Sequence, residues 1–248
     1  MGITKLSLLP AGRCQVDASI VDTRIEMGQK SVSLPIWVYL VETTDGPILI
    51  DTGMPASCVT DLFGEDDDGS IIPQMKEEDM VLNILSRKGY QPDDLAFVIS
   101  SHLHFDHAGG NILFPKTEIV IQKLELEAAM TQPGYPDICK RPDLNYKVVN
   151  GDKELAPGIQ LISTPGHSPG HQSVMIQTKE SGNILLTIDA SYTRDNFEND
   201  VPFAVHNQEH ANSSILKLKE IAKSEKAKIF FGHDIEQEKE WFNQLVIY

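Results

Sequence analysis

Cysteine is scarce in this chain. Three stand among 248 residues, Cys14, Cys58 and Cys139, an odd number with no CxxC spacing, which argues against a disulfide framework and fits a reducing compartment. Long apolar runs are missing as well. No stretch of roughly 18 apolar residues exists, and the start carries no basic segment ahead of an apolar core, so neither a membrane span nor a secretory leader is expected. A soluble, cytoplasmic protein is the expectation. Basic charge is short too: 21 Lys and Arg face 36 Asp and Glu, for a formal charge of -15. A phosphate backbone would be repelled unless the bases gathered in one patch. Lys217, Lys219, Lys223, Lys226 and Lys228 are instead interrupted by Glu220 and Glu225, as on a solvated helix face, and nucleic acid is a poor partner. Leu6 at position six removes the myristoylation reading of Met1-Gly2, and Asn212-Ser213-Ser214 is a glycosylation sequon without meaning in the cytoplasm.

With 41% hydrophobic residues, the chain has ample material for a core. Apolar runs bounded by turn residues predict strands near 5–9, 37–42, 47–50, 95–100 and 118–122, and again near 159–163, 172–176, 183–188 and 228–231. Helices alternate with them. One spans 76–88, with Met80, Val81, Ile84 and Leu85 at helical spacing and Gly89 as its stop; another spans 210–224, and a short one comes after at 236–244. Short connections without strict βαβ alternation indicate packed mixed sheets covered by helices, an α+β chain for which a four-layer αββα sandwich is suitable. The recurrence of the pattern suggests a single domain, residues 1–248, built from two similar halves. Residues 54–73 read as a long surface loop able to frame a pocket, and their acids lack the spacing of a calcium loop.

Residues 102–107 read His102-Leu103-His104-Phe105-Asp106-His107, four metal-binding side chains in six positions of a chain with eight histidines. One metal rarely needs so many ligands, whereas two ions side by side do. Three more candidates each sit where an apolar strand gives way to a loop: His167 after Gly166, Asp189 after Ile188, and His233 after Gly232. A workable division gives one metal His102, His104 and His167, gives the other Asp106, His107 and His233, and lets Asp189 bridge them. Such a pair, roughly 3.5–4 Å apart, holds a bridging hydroxide at neutral pH and polarises a carbonyl oxygen, which is hydrolytic machinery. Zinc is the expected ion, although the same donors accept cobalt, manganese, iron or nickel.

Asp51-Thr52-Gly53, residues 101–110, Thr164-Pro165-Gly166-His167-Ser168-Pro169-Gly170-His171, Asp189-Ala190-Ser191-Tyr192 and Phe231-Gly232-His233-Asp234 carry a resemblance over the whole chain. The chain resembles the metallo-β-lactamase superfamily and, within it, the N-acyl homoserine lactonases that degrade quorum-sensing signals. The resemblance implies the αββα sandwich, two divalent metals between the sheets, and ligands at the positions already assigned. It implies a small-molecule substrate, an acyl homoserine lactone, whose carbonyl is attacked by the bridging hydroxide. Tyr192 then stabilises the oxyanion beside the first metal, the second metal receives the ring oxygen, and Asp106 shuttles the proton. Asp51 and His171 support the metal-binding loops from behind. An acyl chain needs an apolar groove, for which Phe105, Met27, Leu62 and Phe63 are candidates, with Val205 placed near the substrate amide. His206 and His210 read as surface residues.

Alternatives stay open. A thioester hydrolase of the glyoxalase II type resembles the same core but usually adds a C-terminal helical domain, for which little chain remains after His233. A nuclease is opposed by charge, an antibiotic hydrolase by the missing leader, and a flavin-linked diiron reductase by His104, where Glu is usual. A sensor that binds acyl lactones without turnover is opposed by intact Asp106, His107 and Tyr192. A monomer and a homodimer are both compatible.

Overall fold

In the stretch Val38-Tyr39-Leu40-Val41, Tyr39 and Val41 join one buried cluster while Val38 and Leu40 join another, so both faces of the strand are covered. Continuous apolar runs are what such two-sided burial demands. The computed structural model describes residues 2–60, 71–241 and 246–247. In chain order the elements are β1 (Ile3–Asp17), β2 (Ser31–Thr43), β3 (Ile48–Ile50), β4 (Ile71–Gln74), α1 (Val81–Arg87), β5 (Phe97–Ile99), α2 (Phe105–Ala108), β6 (Ile119–Gln122), α3 (Lys123–Thr131) and β7 (Tyr146–Val149). Next come β8 (Lys153–Ala156), β9 (Ile159–Ser163), β10 (Gln172–Thr178), β11 (Gly182–Ile188), α4 (Arg194–Glu198), α5 (Gln208–Ser224), β12 (Lys228–Phe231), α6 (Ile235–Trp241) and β13 (Val246–Ile247).

Two sheets result. The larger runs β13-β1-β2-β3-β5-β6-β7 with β4 on β1, and the smaller runs β12-β11-β10-β9-β8. Between them lies one core, where Leu8, Tyr39, Ile50 and Ile99 meet Leu161, Ile176, Leu186 and Phe230. Outside the larger sheet, Leu40, Leu49 and Val98 pack on Val81, Ile84 and Leu85 of α1. Outside the smaller, Met175, Leu185 and Phe231 pack on Phe197 of α4 and on Ile215 and Leu218 of α5. Helix, sheet, sheet and helix are thus stacked, which is the α+β sandwich expected from the sequence.

Several boundaries differ. β1 continues well past the strand expected at 5–9, because Pro10 and Gly12, just beyond that run, sit at a register shift between Pro10 and Arg13 where a bulge absorbs them. The helix expected over 76–88 splits into a 3-10 turn at Glu77–Asp79 and α1, with Met80 extended at the junction; Gly89 at φ 84 ends it as expected. Part of the expected loop 54–73 is ordered structure, since Ile71–Gln74 pairs with β1 and Met54 and Cys58 are buried. Strands β7 and β8 are mostly exposed and lack the apolar pattern that marks the others.

Candidate metal centre

Strand ends place the polar residues. β3 and β5 are parallel neighbours in the larger sheet, and β11 and β12 are parallel neighbours in the smaller. Asp51 succeeds β3, the segment from Ser101 to His107 leads from β5 into α2, His167 lies between β9 and β10, Asp189 succeeds β11, and His233 succeeds β12. The turns are tight. Asp51 and Ile188 take positive φ, 59° and 52°, in the region that β-branched residues avoid most. Gly166 has φ 142°, and a Cβ at Gly232 would lie 2.5 Å from the Ile188 carbonyl oxygen, so no larger residue fits ahead of His233.

All seven expected donors converge. His102 Nε2 lies 3.1 Å from His104 Nδ1 and 3.1 Å from His167 Nε2, and the last two are 2.8 Å apart. Beside this trio stands a second group, Asp106, His107 and His233, with Asp106 Oδ2 3.4 Å from His107 Nε2 and 3.8 Å from His233 Nε2. Asp189 divides its oxygens between them: Oδ2 is 3.3 Å from His167 Nε2, while Oδ1 is 3.0 Å from His233 Nε2 and 3.3 Å from His107 Nε2.

This donor set fits cations. Three ring nitrogens at mutual contact cannot all satisfy one another, because a neutral imidazole has only one N–H to give. His107 Nε2 and Asp189 Oδ1 are buried and make no hydrogen bond. Buried polar atoms are normally paired, and two orphans aimed at one point are what a metal would satisfy. Burial holds His102 and His167 well below the ordinary histidine pKa of 6.5, which keeps these rings neutral and able to ligate. Burial works the same way on His107, but the Asp189 and Asp106 carboxylates outweigh it and raise that group. For Asp189 the imidazoles of His107, His233 and His167 overcome burial and hold the carboxyl well below 3.8.

The far ring nitrogens are tied down. His107 Nδ1 meets Asp51 Oδ2 at 2.9 Å, and Asp51 accepts from the Ser101 amide at 2.7 Å and its hydroxyl at 2.8 Å. That hydroxyl also lies 3.0 Å from His102 Nδ1. His233 Nδ1 donates to the Pro35 carbonyl of β2 at 2.8 Å. His171, its pKa pushed down to about 3 mainly by burial, accepts the Asp189 amide on Nε2 at 3.1 Å and meets the Thr164 hydroxyl with Nδ1. Tyr192 places its hydroxyl 3.1 Å from His167 Nδ1 and 3.4 Å from the Ala204 carbonyl.

A cavity of about 240 Å³ opens onto His104, Asp106, Asp189 and Tyr192, and Val16, Ile20, Leu34, Ile36, Ile71 and Phe105 form its apolar side. Residues 33–233 match the family model of the metallo-beta-lactamase superfamily. The chain belongs to that superfamily.

This superfamily member is 57% identical over 242 residues to the N-acyl homoserine lactonase AiiA of Bacillus thuringiensis subsp. kurstaki, covering 96% of each chain. It is 31% identical over 218 residues to the N-acyl homoserine lactonase AttM of Azorhizobium caulinodans, covering 81% and 82%. A solved N-acyl homoserine lactone hydrolase, with the product N-hexanoyl-L-homoserine bound at its catalytic metal center, matches at TM-score 0.93 and 56% identity over 97% of both chains. Identity of this extent places the chain in the N-acyl homoserine lactonase family.

The expected groove residues of this metallo-β-lactamase superfamily member fare differently. Phe105 lines the cavity. Val205 is half-buried against the cluster outside the smaller sheet, and Met27 is 82% exposed; neither is among the cavity residues. Leu62 and Phe63 lie outside the described residues. His206 and His210 are exposed. The sequence marks Ser101 only as part of the 101–110 block, with no role of its own, and gives no sign of Glu125 or of the apolar wall of β1 and β2, whose residues read as simple core.

Proposed function

We infer that this chain is a dinuclear metal-dependent hydrolase that opens the lactone ring of N-acyl homoserine lactones. The AiiA and AttM lactonases supply the substrate class. The observation that carries the chemistry is the split of Asp189, one oxygen toward each group of donors. His102, His104 and His167 would hold one divalent cation, Asp106, His107 and His233 the other, with Asp189 spanning them; the imidazole-rich set suits Zn2+. Two such cations supply Lewis acidity toward a carbonyl oxygen and a water ionised near neutral pH.

The chain's own residues do the rest. With Nε2 of His167 committed to the donor set, its Nδ1 carries the hydrogen and donates to the Tyr192 oxygen, so the phenol O–H, whose partner is the Ala204 carbonyl at a long 3.4 Å, can turn to donate to the developing oxyanion. Burial, reinforced by Asp189 and Asp106, raises the Tyr192 pKa well above 10, so the proton stays on. Asp106, on the cavity wall, takes the proton of the attacking water and returns it to the leaving ring oxygen. The apolar side of the cavity receives the acyl chain.

One domain spanning 1–248 accounts for the arrangement, since a single chain supplies every donor and neither a second copy, a nucleic acid nor a lipid surface is needed to complete it. No helix among the described residues is long and apolar enough to cross a membrane. Three buried cysteines, odd in number and without CxxC spacing, are in keeping with a reducing, cytoplasmic setting. The test compares ring opening, read by acid release, for acyl homoserine lactones of several lengths with a thioester and a β-lactam, before and after chelation. Lactone turnover lost on chelation and restored by zinc is expected. A thioester turned over faster than every lactone, or activity with less than one metal per chain, would sink the proposal.

A further inference from the structure

The trio His102, His104 and His167 draws on two loops, one from each sheet. Glu125, on α3, touches both loops while standing outside the donor set. Its side chain is fully buried; Oε1 accepts the Leu103 amide, between His102 and His104, at 3.0 Å. Oε2 accepts the Ser168 hydroxyl at 2.7 Å and the Gly170 amide at 2.9 Å, just beyond His167. The contact is close on the backbone side as well: a Cβ at Gly170 would stand 2.1 Å from the Glu125 nitrogen. Past the end of α3, Tyr135 packs on the His104 ring with centroids 5.5 Å apart. An apolar residue at 125 would pack in a helix more cheaply than a carboxylate, whose burial is tolerable only because neutral donors satisfy it.

We propose that Glu125 is a positioning residue that clamps the His102–His104 loop and the His167 loop in the register their shared cation requires, a role that rests on reading the trio as one cation's ligands. The carboxylate is the acceptor that the two loops have in common. Glu125→Gln preserves volume and, whichever way its amide turns, sets an NH2 group against either the Leu103 or the Gly170 N–H, so one arm of the clamp is lost without opening a cavity.

Apo protein prepared by chelation is titrated with Co2+, and the visible ligand-field absorption is tracked for wild type, Glu125→Gln and Ser168→Ala. One of two cobalt equivalents in Glu125→Gln is expected to bind about 10- to 100-fold more weakly with an altered band, the other being unchanged. Ser168→Ala is expected to weaken the same equivalent by less. A Glu125→Gln protein that melts like wild type and takes up both equivalents with wild-type affinity and spectrum overturns the clamp. Should that variant not fold, Ser168→Ala decides, and unchanged cobalt binding overturns it. Wild type that binds no cobalt overturns the metal reading itself, an outcome distinct from these.

Discussion

Asp51 and His107 are joined at 2.9 Å, carboxylate Oδ2 to imidazole Nδ1, in a pocket closed to solvent. This contact sets which ring nitrogen of His107 faces the donor cluster. Asp51→Ala frees the ring and strands two Ser101 donors, so metal affinity is expected to fall about 10- to 100-fold. Equilibrium dialysis against zinc checks it; wild-type affinity would remove Asp51 from any supporting role.

Asp106 borders the cavity and faces both His107 and His233. Asp106→Asn retains the shape and loses the base. Turnover of a lactone is expected to drop about 10²–10⁴-fold, and metal per chain must be measured on the same sample. Full turnover with both metals present would exclude proton transfer by this residue.

Tyr192→Phe deletes one oxygen from a buried ring. If that oxygen donates only to the transition state, kcat and kcat/KM fall together, on the order of 10²-fold, with KM little changed. A rise in KM alone, seen in steady-state kinetics, would assign Tyr192 to substrate binding instead.

Leu34 stands on the apolar side of the cavity, within β2. Leu34→Phe adds bulk where the acyl chain is proposed to lie. The ratio of kcat/KM for a long-chain over a short-chain lactone is expected to fall; an unchanged ratio places the chain elsewhere.

Phe230 sits between the sheets with its ring edge-on to Trp37, Tyr39 and Trp241, at centroid distances of 5.3, 5.9 and 5.5 Å. Phe230→Ala is expected to cost about 3–5 kcal/mol. Urea unfolding of the apo protein measures this, and a loss well under that range would mean the neighbouring rings close the gap.

What was legible in the sequence was what depends on local pattern. Tyr39 beside Leu40, or Ile184 beside Leu185, shows a strand buried on both faces, and such runs marked the central strands. The spacing from His102 to His107 pointed to metals because so many donors in so few residues have little other use. Long-range relations outside the donor set left no such trace. Glu125 lies 22 residues from Leu103 and 45 from Gly170, and only the packing of α3 brings the three together. The cavity wall was equally silent, since Val16, Leu34 and Ile36 look like any inward strand residues until β1 and β2 are seen to pass beside the donors. Edge strands β7 and β8 escaped because exposure on an edge relaxes the apolar pattern.

His102, His104, Asp106 and His107 hang from the larger sheet, whereas His167, Asp189 and His233 hang from the smaller. Neither sheet by itself can assemble the constellation. Competence therefore requires the two layers to be docked in register, and a substitution in their shared core that shifts one against the other would disarm the site without touching a single donor.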